Sequence, residues 1–374
     1  MIAGCLVTGG RSPVVCEGWP IDPAELRLAM LWQLSPERVR RLRLQGTLAG
    51  LPAWRELPSS EKVEREIARM RDLQVGFLVL GGPGFPERLA AIPDPPPYLF
   101  VRGTPRLDAA VARVAIVGSR AASESGRDVA YALGRDLALA GVEVVSGMAR
   151  GIDAAAHWGA LDAGGRSVAV CGTGADVCYP AEHDELLRRL LRSGGIVTEF
   201  PLGTPGLRLH FPRRNRIISG LADVVVVVEG GERSGARSTV DHALDQGREV
   251  MAVPRDPLLP GSVLPDRLLR DGAAVVCGAV DILDVLRAGP VRPGVAAPSA
   301  VPGGARTGGN TLGESAAETA ILEALAGRRR SLDDLLRLGA ATGAGAGAVQ
   351  ALLLRLELEG RVRRSPGGWF HRTG

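Results

Sequence analysis

Arg113-Val-Ala-Ile-Val-Gly-Ser-Arg120 reads as a buried parallel strand that breaks at Gly118 into small and basic residues. Beyond it Ser123 can cap a helix, Val129, Leu133, Leu137 and Ala140 recur at helical spacing, and Gly141 ends the run. Val142 to Val145 then forms a second strand that stops at Ser146-Gly147. The pattern is a βαβ unit. Both strands end in small residues at the carboxyl edge of a sheet, where open α/β folds bind their ligands.

The first turn restricts the ligand by its chemistry. A Walker loop needs a lysine after its glycines, and the one lysine of the chain, Lys62, is far from any such turn. A dinucleotide fingerprint needs closely spaced glycines and an acid ending the second strand, whereas Gly118 is next followed by Gly126 and the second strand ends in Ser146-Gly147. What remains at this helix start is a turn of backbone amides, the Ser119 hydroxyl and the Arg120 guanidinium, which suit an anionic group such as phosphate.

Outward from this unit, helices alternate with strands at Ser167 to Gly172, Ile196 to Glu199, Asp223 to Glu229, Glu249 to Val253 and Ala273 to Cys277. Such alternation predicts an α/β fold with a doubly wound, mostly parallel sheet over residues 75–288. Strands at Val75 to Leu80 and Tyr98 to Arg102 precede it, joined through the rigid connector Ile92-Pro-Asp-Pro-Pro-Pro97.

Residues 1–74 read as a small helical unit, with Asp22 before Pro23, Ser35 before Pro36 and a third helix from Ser60. Arg38, Arg40, Arg41 and Arg43 crowd its second helix and read as a solvated face. Residues 289–313, rich in Gly, Pro, Ala and Ser, read as a flexible linker. Residues 314–374 read as three helices and a short hairpin around Pro366-Gly-Gly368, a winged-helix pattern with Arg361, Arg363 and Arg364 on the wing.

Mean hydropathy is +0.10 with 45% hydrophobic residues, and no window reaches the ~18 apolar residues of a membrane span. No basic start leads into an apolar signal core, so the default expectation is a cytoplasmic protein without membrane contact. The net charge of +4 is compatible with a nucleic-acid partner without demanding one. Cys5, Cys16, Cys171, Cys178 and Cys277 show no metal-ligand spacing and read as reduced, mostly buried thiols. The histidines stand apart from any nucleophile motif; no catalytic residue, metal or cofactor is assigned.

Three further segments fall at strand ends or helix starts of the same sheet. In Ser146-Gly-Met-Ala-Arg-Gly-Ile-Asp153, Gly147 permits close backbone approach and Asp153 can cap the next helix, with His157 one turn inside as a hydrogen-bonding residue. In Phe211-Pro-Arg-Arg-Asn-Arg216, a proline at a helix start precedes Arg213, Arg214, Asn215 and Arg216, and arginine forks match phosphate oxygens. In Glu229-Gly-Gly-Glu-Arg-Ser-Gly-Ala-Arg237, a helix opens at Ser234-Gly235 with Arg237 nearby. A row of phosphate grips suits a polyanion better than a mononucleotide. Aromatics are 4% of residues; Tyr179, Phe200 and Phe211 are the ones near the crevice, and packing is the role expected of each.

Ile116-Val117-Gly118-Ser119-Arg120, Ser146-Gly147 with Gly151-Ile152-Asp153 and Ala156-His157, Gly174 with Tyr179-Pro180, Phe211-Pro212 with Arg214-Asn215-Arg216-Ile217-Ile218, and Glu229 with Ser234-Gly235 together resemble the DprA (Smf) family of bacterial DNA-processing proteins. The likeness is strong over about residues 77 to 287 and departs from the family pattern after Val253.

The resemblance implies an extended Rossmann-like sheet, a sterile-alpha-motif-like helical domain before it and a winged helix after it. It implies a protein that binds single-stranded DNA taken up in natural transformation, protects it and helps load the RecA recombinase, acting as a homodimer and not as an enzyme. Gly118, Ser119, Arg120, Gly147, Arg213, Arg214, Asn215, Arg216, Ser234, Gly235 and Arg237 are the expected DNA-backbone contacts. The winged helix is expected to make protein contacts or weak contact with duplex DNA. The alternatives carried alongside are a phosphoribohydrolase-type nucleotide enzyme, against which the helix after Ser234 offers Ser238, Thr239 and Asp241 in place of a catalytic glutamate, and a small-nucleotide sensor.

Overall fold

Asp22 accepts a hydrogen bond from the Ala24 amide at 2.8 Å and Pro23 brings a first turn with no amide to satisfy, so the chain enters helix α1, Pro23–Ala29. Helix α2 is Pro36–Gln45, and Ser59 caps α3, Ser60–Asp72, through the Lys62 amide. A computed structural model describes residues 21–45, 58–107, 110–231, 234–254, 263–288, 311–325, 330–342, 349, 352–353, 355–357, 361–365 and 369–372. The chain divides into two units, Met1–Pro298 and Ser299–Gly374.

Strand β1 (Val75–Val79) pairs antiparallel with β2 (Tyr98–Gly103), Phe77 opposite Phe100; the short helix α4 (Glu87–Ala90) separates them in sequence. Next come β3 (Arg113–Gly118), α5 (Glu124–Leu139) and β4 (Glu143–Ser146), the βαβ unit that the pattern from Arg113 onward predicts. After these follow α6 (Ile152–Asp162), β5 (Ser167–Val170), α7 (Asp184–Arg192), β6 (Gly194–Thr198), α8 (His210–Leu221) and β7 (Val224–Glu229). The unit closes with α9 (Gly235–Asp245), β8 (Glu249–Ala252), α10 (Val263–Arg270), β9 (Ala274–Val275) and α11 (Ala279–Ala288).

The nine strands lie in the order β1-β2-β6-β5-β4-β3-β7-β8-β9, parallel from β6 to β9 and antiparallel at the β1-β2 edge. From β3 the chain winds outward through β4, β5 and β6, then returns to β7 on the other side of β3 and winds outward again. The switch point is therefore between β3 and β7, where adjacent strands send their following connections in opposite directions and leave a crevice.

Alternation along β3 serves two cores. Val114 and Ile116 pack with Leu133, Leu137 and Ile282, whereas Ala115 and Val117 pack with Ile217, Ile218 and Val240. The five consecutive valines of β7 are buried on both faces, as a central parallel strand requires. A third core seats α1 to α3 directly on the sheet: Leu26, Leu42, Val63 and Met70 pack with Phe77, Phe100, Ala169 and Ile196.

That seating corrects the solvated-face reading of the α2 arginines for two of them. Arg40 donates to Asp94 (2.7 Å), and Arg43 donates to Glu25 (3.0 Å) and lies over the Tyr98 ring, while Arg38 and Arg41 stay exposed. Among the cysteines, Cys171 is buried, Cys178 half-buried and Cys277 exposed, the last because it sits past the end of β9. Cys5 and Cys16, most of the 289–313 segment and the 255–262 loop lie outside the described residues.

The second unit contains α12 (Thr311–Ala324), β10 (Arg330–Ser331), α13 (Leu332–Ala341) and the antiparallel pair β11 (Val362–Ser365) and β12 (Trp369–Arg372), with strand order β10-β12-β11. Ile321, Leu335, Leu353, Leu356, Val362 and Phe370 form its own core. This is the winged helix that the sequence pattern predicts. Arg361 donates to Glu318 at 2.7 Å, which ties one basic residue of the expected wing to the first helix.

Candidate nucleic-acid interface

A cavity of about 590 Å³ opens at the switch point, walled by the turns after β3 and β7, the first turns of α8 and α9 and the rim loop through Arg208. Its first wall is Gly118-Ser119-Arg120. The Ser119 amide donates to the Glu229 carbonyl at 2.8 Å, which pins the two strand ends together, and the Ser119 hydroxyl accepts from the Ala121 amide at 3.2 Å. A side chain at Gly118 would place its β carbon 2.5 Å from Ile152, so only glycine fits.

The start of α5 differs from expectation. The Glu229 carboxylate accepts from the Ser123 amide at 3.1 Å and from the Ser123 hydroxyl at 2.6 Å, so this helix start already holds an anion supplied by the protein. At the start of α9, by contrast, no carboxylate among the described residues caps the helix. Ser234 accepts from the Ala236 amide at 3.3 Å, and the α-carbon of Gly235 faces free space. Asn215 donates to the Gly235 carbonyl at 3.1 Å and thereby ties α8 to the mouth of α9.

The floor is built from two buried opposite charges, Asp153 and Arg214. Asp153 is not the cap of α6: it lies in the first turn, and its carboxylate turns back to accept from the Gly147 and Ala149 amides at 3.1 and 3.4 Å. This holds a turn in which Met148 has φ +54°, a conformation that costs a non-glycine residue energy. Burial raises the Asp153 carboxyl above its usual range, although the Arg214 guanidinium and the two amides work against that shift. Burial likewise lowers Arg214, whose charge Asp153 supports.

Arg214 is held on all sides. It donates to the carbonyls of Gly147 (2.8 Å) and Val170 and to the Asn215 side chain (3.2 Å). Gly147 leaves room for this guanidinium, since a β carbon there would lie 2.5 Å from it. Gly147 itself lines a smaller cavity beside the first, shared with Arg120 and Arg214.

The helical repeat of α8 separates the arginines. Phe211, Arg214, Asn215 and Ile218, spaced by three and four residues, face the cavity. Arg213 and Arg216 face away, toward Glu199. Arg213 donates to Glu199 at 2.9 Å and to the Trp32 carbonyl at 2.8 Å; Arg216 grips the same carboxylate through both terminal nitrogens, at 2.8 and 3.0 Å. The expectation of three arginines in one crevice therefore reduces to one, because successive helical residues are ~100° apart. Arg237 is also outside the cavity lining, half-exposed on α9 and 3.9 Å from Asp241.

Two guanidiniums at the rim are uncommitted. Arg120 lies over the Phe211 ring at 4.9 Å, and Arg208 stands exposed; neither donates a hydrogen bond to a carboxylate among the described residues. Tyr179, 43% exposed, packs on the same ring with centroids 5.1 Å apart. Phe200 is fully buried between His210 and Trp32, in the packing role expected of it. Sequence reasoning missed Arg208 and named Ser238 and Thr239 only in weighing an enzyme, not as site residues, though all three are in the cavity lining. The hydroxyls lie at helical spacing after Ser234 and were within reach of a wheel drawn from that cap.

His157 is remote from this chemistry. Its Nδ1 lies 2.7 Å from the Ser167 hydroxyl, which itself donates to the Val144 carbonyl, so Nδ1 carries the proton and Nε2 has no partner among the described residues. Burial drives its pKa down to about 3.

Comparison with known proteins bears on the family and the fold. Residues 76–287 match the family of DNA recombination-mediator protein A, and residues 306–368 match the DprA winged helix domain. The DNA processing protein DprA of Bacillus subtilis is 36% identical over 284 residues, covering 75% of this chain and 93% of that protein. Protein Smf of Escherichia coli is 45% identical over 207 residues, and the match spans about half of each chain, 55%. The X-ray structure of DNA processing protein A from Streptococcus pneumoniae superposes with TM-score 0.59 at 30% identity, over 71% of this chain and 98% of that one. DNA processing protein A of Helicobacter pylori, described for its single-stranded DNA binding mode, superposes with TM-score 0.51 at 25% identity, over 57% of this chain and 96% of that one. With the family matched over more than half its length, the chain belongs to the DNA recombination-mediator protein A family, the DprA and Smf proteins.

Proposed function

We propose that the protein binds single-stranded DNA through the phosphodiester backbone at the cavity between β3 and β7. The observation that carries this reading is the pairing of two rim guanidiniums, Arg120 and Arg208, with the amino end of α9, none of which meets a carboxylate among the described residues. Each favours an anion, and they stand on one cavity wide enough for a nucleotide unit. The expected contacts are Gly118, Ser119, Arg120, Arg208, Arg214, Asn215, Ser234 and Gly235. Arg214 acts from beneath as a fixed positive charge.

In the cell this reading makes the protein a binder of incoming single strands in natural transformation, which shields the strand and helps load a recombinase of the RecA class. It works there as a cytoplasmic homodimer, by binding and without turnover, and the winged helix supplies protein contacts or weak duplex contacts. Fluorescence-anisotropy titration of labelled oligo-dT and of a matching duplex across a salt series tests the core of it. The expected result is single strand preferred, with log K falling by ~0.7 per phosphate contacted for each decade of salt. A chain that ignores both DNAs at low salt refutes the reading. Because the cavity of about 590 Å³ would also take one free nucleotide, saturable binding of dTMP by a chain that ignores oligo-dT would support a nucleotide sensor instead. Release of free base from it would support an enzyme.

A further inference from the structure

Arg213 and Arg216 are more deeply engaged than any surface arginine needs to be. Their shared partner Glu199 is 1% exposed as a side chain and Arg216 is 4% exposed. Burial alone would raise the Glu199 carboxyl, but the guanidiniums of Arg216 and Arg213 outweigh it and hold the group below its usual range. The network continues outward on both sides. Arg216 Nε donates to the carbonyl and the carboxylate of Asp94, at 2.9 and 3.1 Å, and Asp94 also accepts from Arg40 of α2 at 2.7 Å. Arg213 reaches the Trp32 and Leu34 carbonyls, at 2.8 and 3.3 Å, in the turn between α1 and α2.

The helical layer thus grips the rear of α8 at two adjacent turns. The residues enclosed between those grips are Arg214 and Asn215, which form the cavity floor and hold the mouth of α9. We propose that Arg213 and Arg216 are positioning residues: through Glu199 and Asp94 they brace α8 against the N-terminal helices, and the brace fixes Arg214 and Asn215 for the strand. The Pro-rich connector acquires a role in this arrangement, since Ile92 to Pro97 carries Asp94 to the point where α2 and α8 meet. The N-terminal helices are in turn a support for affinity. Only the affinity part of the inference rests on the strand-binding reading.

The test uses the full chain with Asp94→Ala and Arg40→Gln, the outer ends of the network, whose loss leaves the buried Glu199 pairs intact. The expected result is a loss of oligo-dT affinity of about threefold in each, from one weakened charge-assisted link, with the double variant no worse than the stronger single. The salt slope stays at the wild-type value, because every phosphate keeps its partner. Hydrogen exchange on the DNA-free chain provides a second readout: amides of α8 exchange faster in Asp94→Ala, while those of α5 do not. Arg216→Lys keeps the charge but loses the fork, and is expected to behave like Asp94→Ala.

Unchanged affinity and unchanged α8 exchange would overturn the brace. A slope reduced by ~0.7 in Arg216→Gln would overturn it also, since that marks a direct phosphate contact. Wild type that ignores oligo-dT would refute the function but leave the exchange comparison to decide whether α8 is braced.

Discussion

Arg120 and Arg213 lie on opposite sides of α8 and meet opposite conditions. Arg120, at the rim, has a ring beneath it and solvent above; Arg213, at the rear, has a buried carboxylate and two backbone carbonyls. The first keeps its hydrogen-bonding capacity for a ligand, and the second has spent it on the fold. Positive charge near a cavity is therefore a poor guide to binding until each guanidinium's partners are known. Rear arginines should report in stability and, through α8, in affinity at an unchanged salt slope, whereas rim arginines should report in affinity and salt slope together.

The largest expected effect tests the rear. Glu199→Leu leaves Arg213 and Arg216 facing a buried apolar group, and breaking such a pair costs about 3 to 5 kcal/mol. Urea unfolding of the variant should show that loss. A loss below ~1 kcal/mol would mean that Asp94 and the carbonyls suffice, and the contrast between the two sides of α8 would weaken.

The next effect is set by pH. The folded protein keeps His157 neutral down to about pH 3, whereas the unfolded chain protonates the ring near 6.5. Between those values the unfolded state binds the extra proton, so acidification destabilises the fold by about 1.4 kcal/mol per pH unit from this group. His210 and His242, also lowered by burial, act in the same direction, and Glu199, held low, adds a loss only as pH falls below its ordinary 4.5. Comparing wild type with His157→Gln between pH 6.5 and 5 isolates the ring. Parallel profiles would show that His157 is protonated or solvated in the fold.

Much of this architecture was legible in the chain. The run Arg113 to Gly118, the valines of β7 and the caps Ser123 and Ser234 are local signals, and the structure places the elements where those signals put them. What the chain hid is orientation and long-range pairing. Arg213, Arg214 and Arg216 read as one cluster because they are adjacent, yet a helix that begins at His210 turns them to different sides. Glu199 and Asp94 carry no signal of their own; they matter through partners up to 122 residues away. The acid at the start of α5 was hidden similarly, since Glu229 ends a strand 106 residues after the serine it caps with. Arg208 could have been found only from the rim loop's position in space.

The smallest effects lie at the rim, and they separate residues that grip the ligand from bystanders. Arg120→Ala and Arg208→Ala each remove a guanidinium that no carboxylate among the described residues engages, so unfolding stability should stay within about 0.5 kcal/mol of wild type. Affinity for oligo-dT should fall, and the salt slope should drop by ~0.7 in each, the signature of one phosphate no longer neutralised by the protein. Arg237→Ala is the matched control, because that side chain is half-exposed on the same edge of the sheet but points along α9 toward Asp241, 3.9 Å away. Equal slopes in all three variants would mean that the strand follows general positive charge along the edge. A drop confined to Arg120 and Arg208 would place its phosphates at the cavity mouth, because screening acts on every exposed charge alike whereas counterion release is counted only where a phosphate is neutralised.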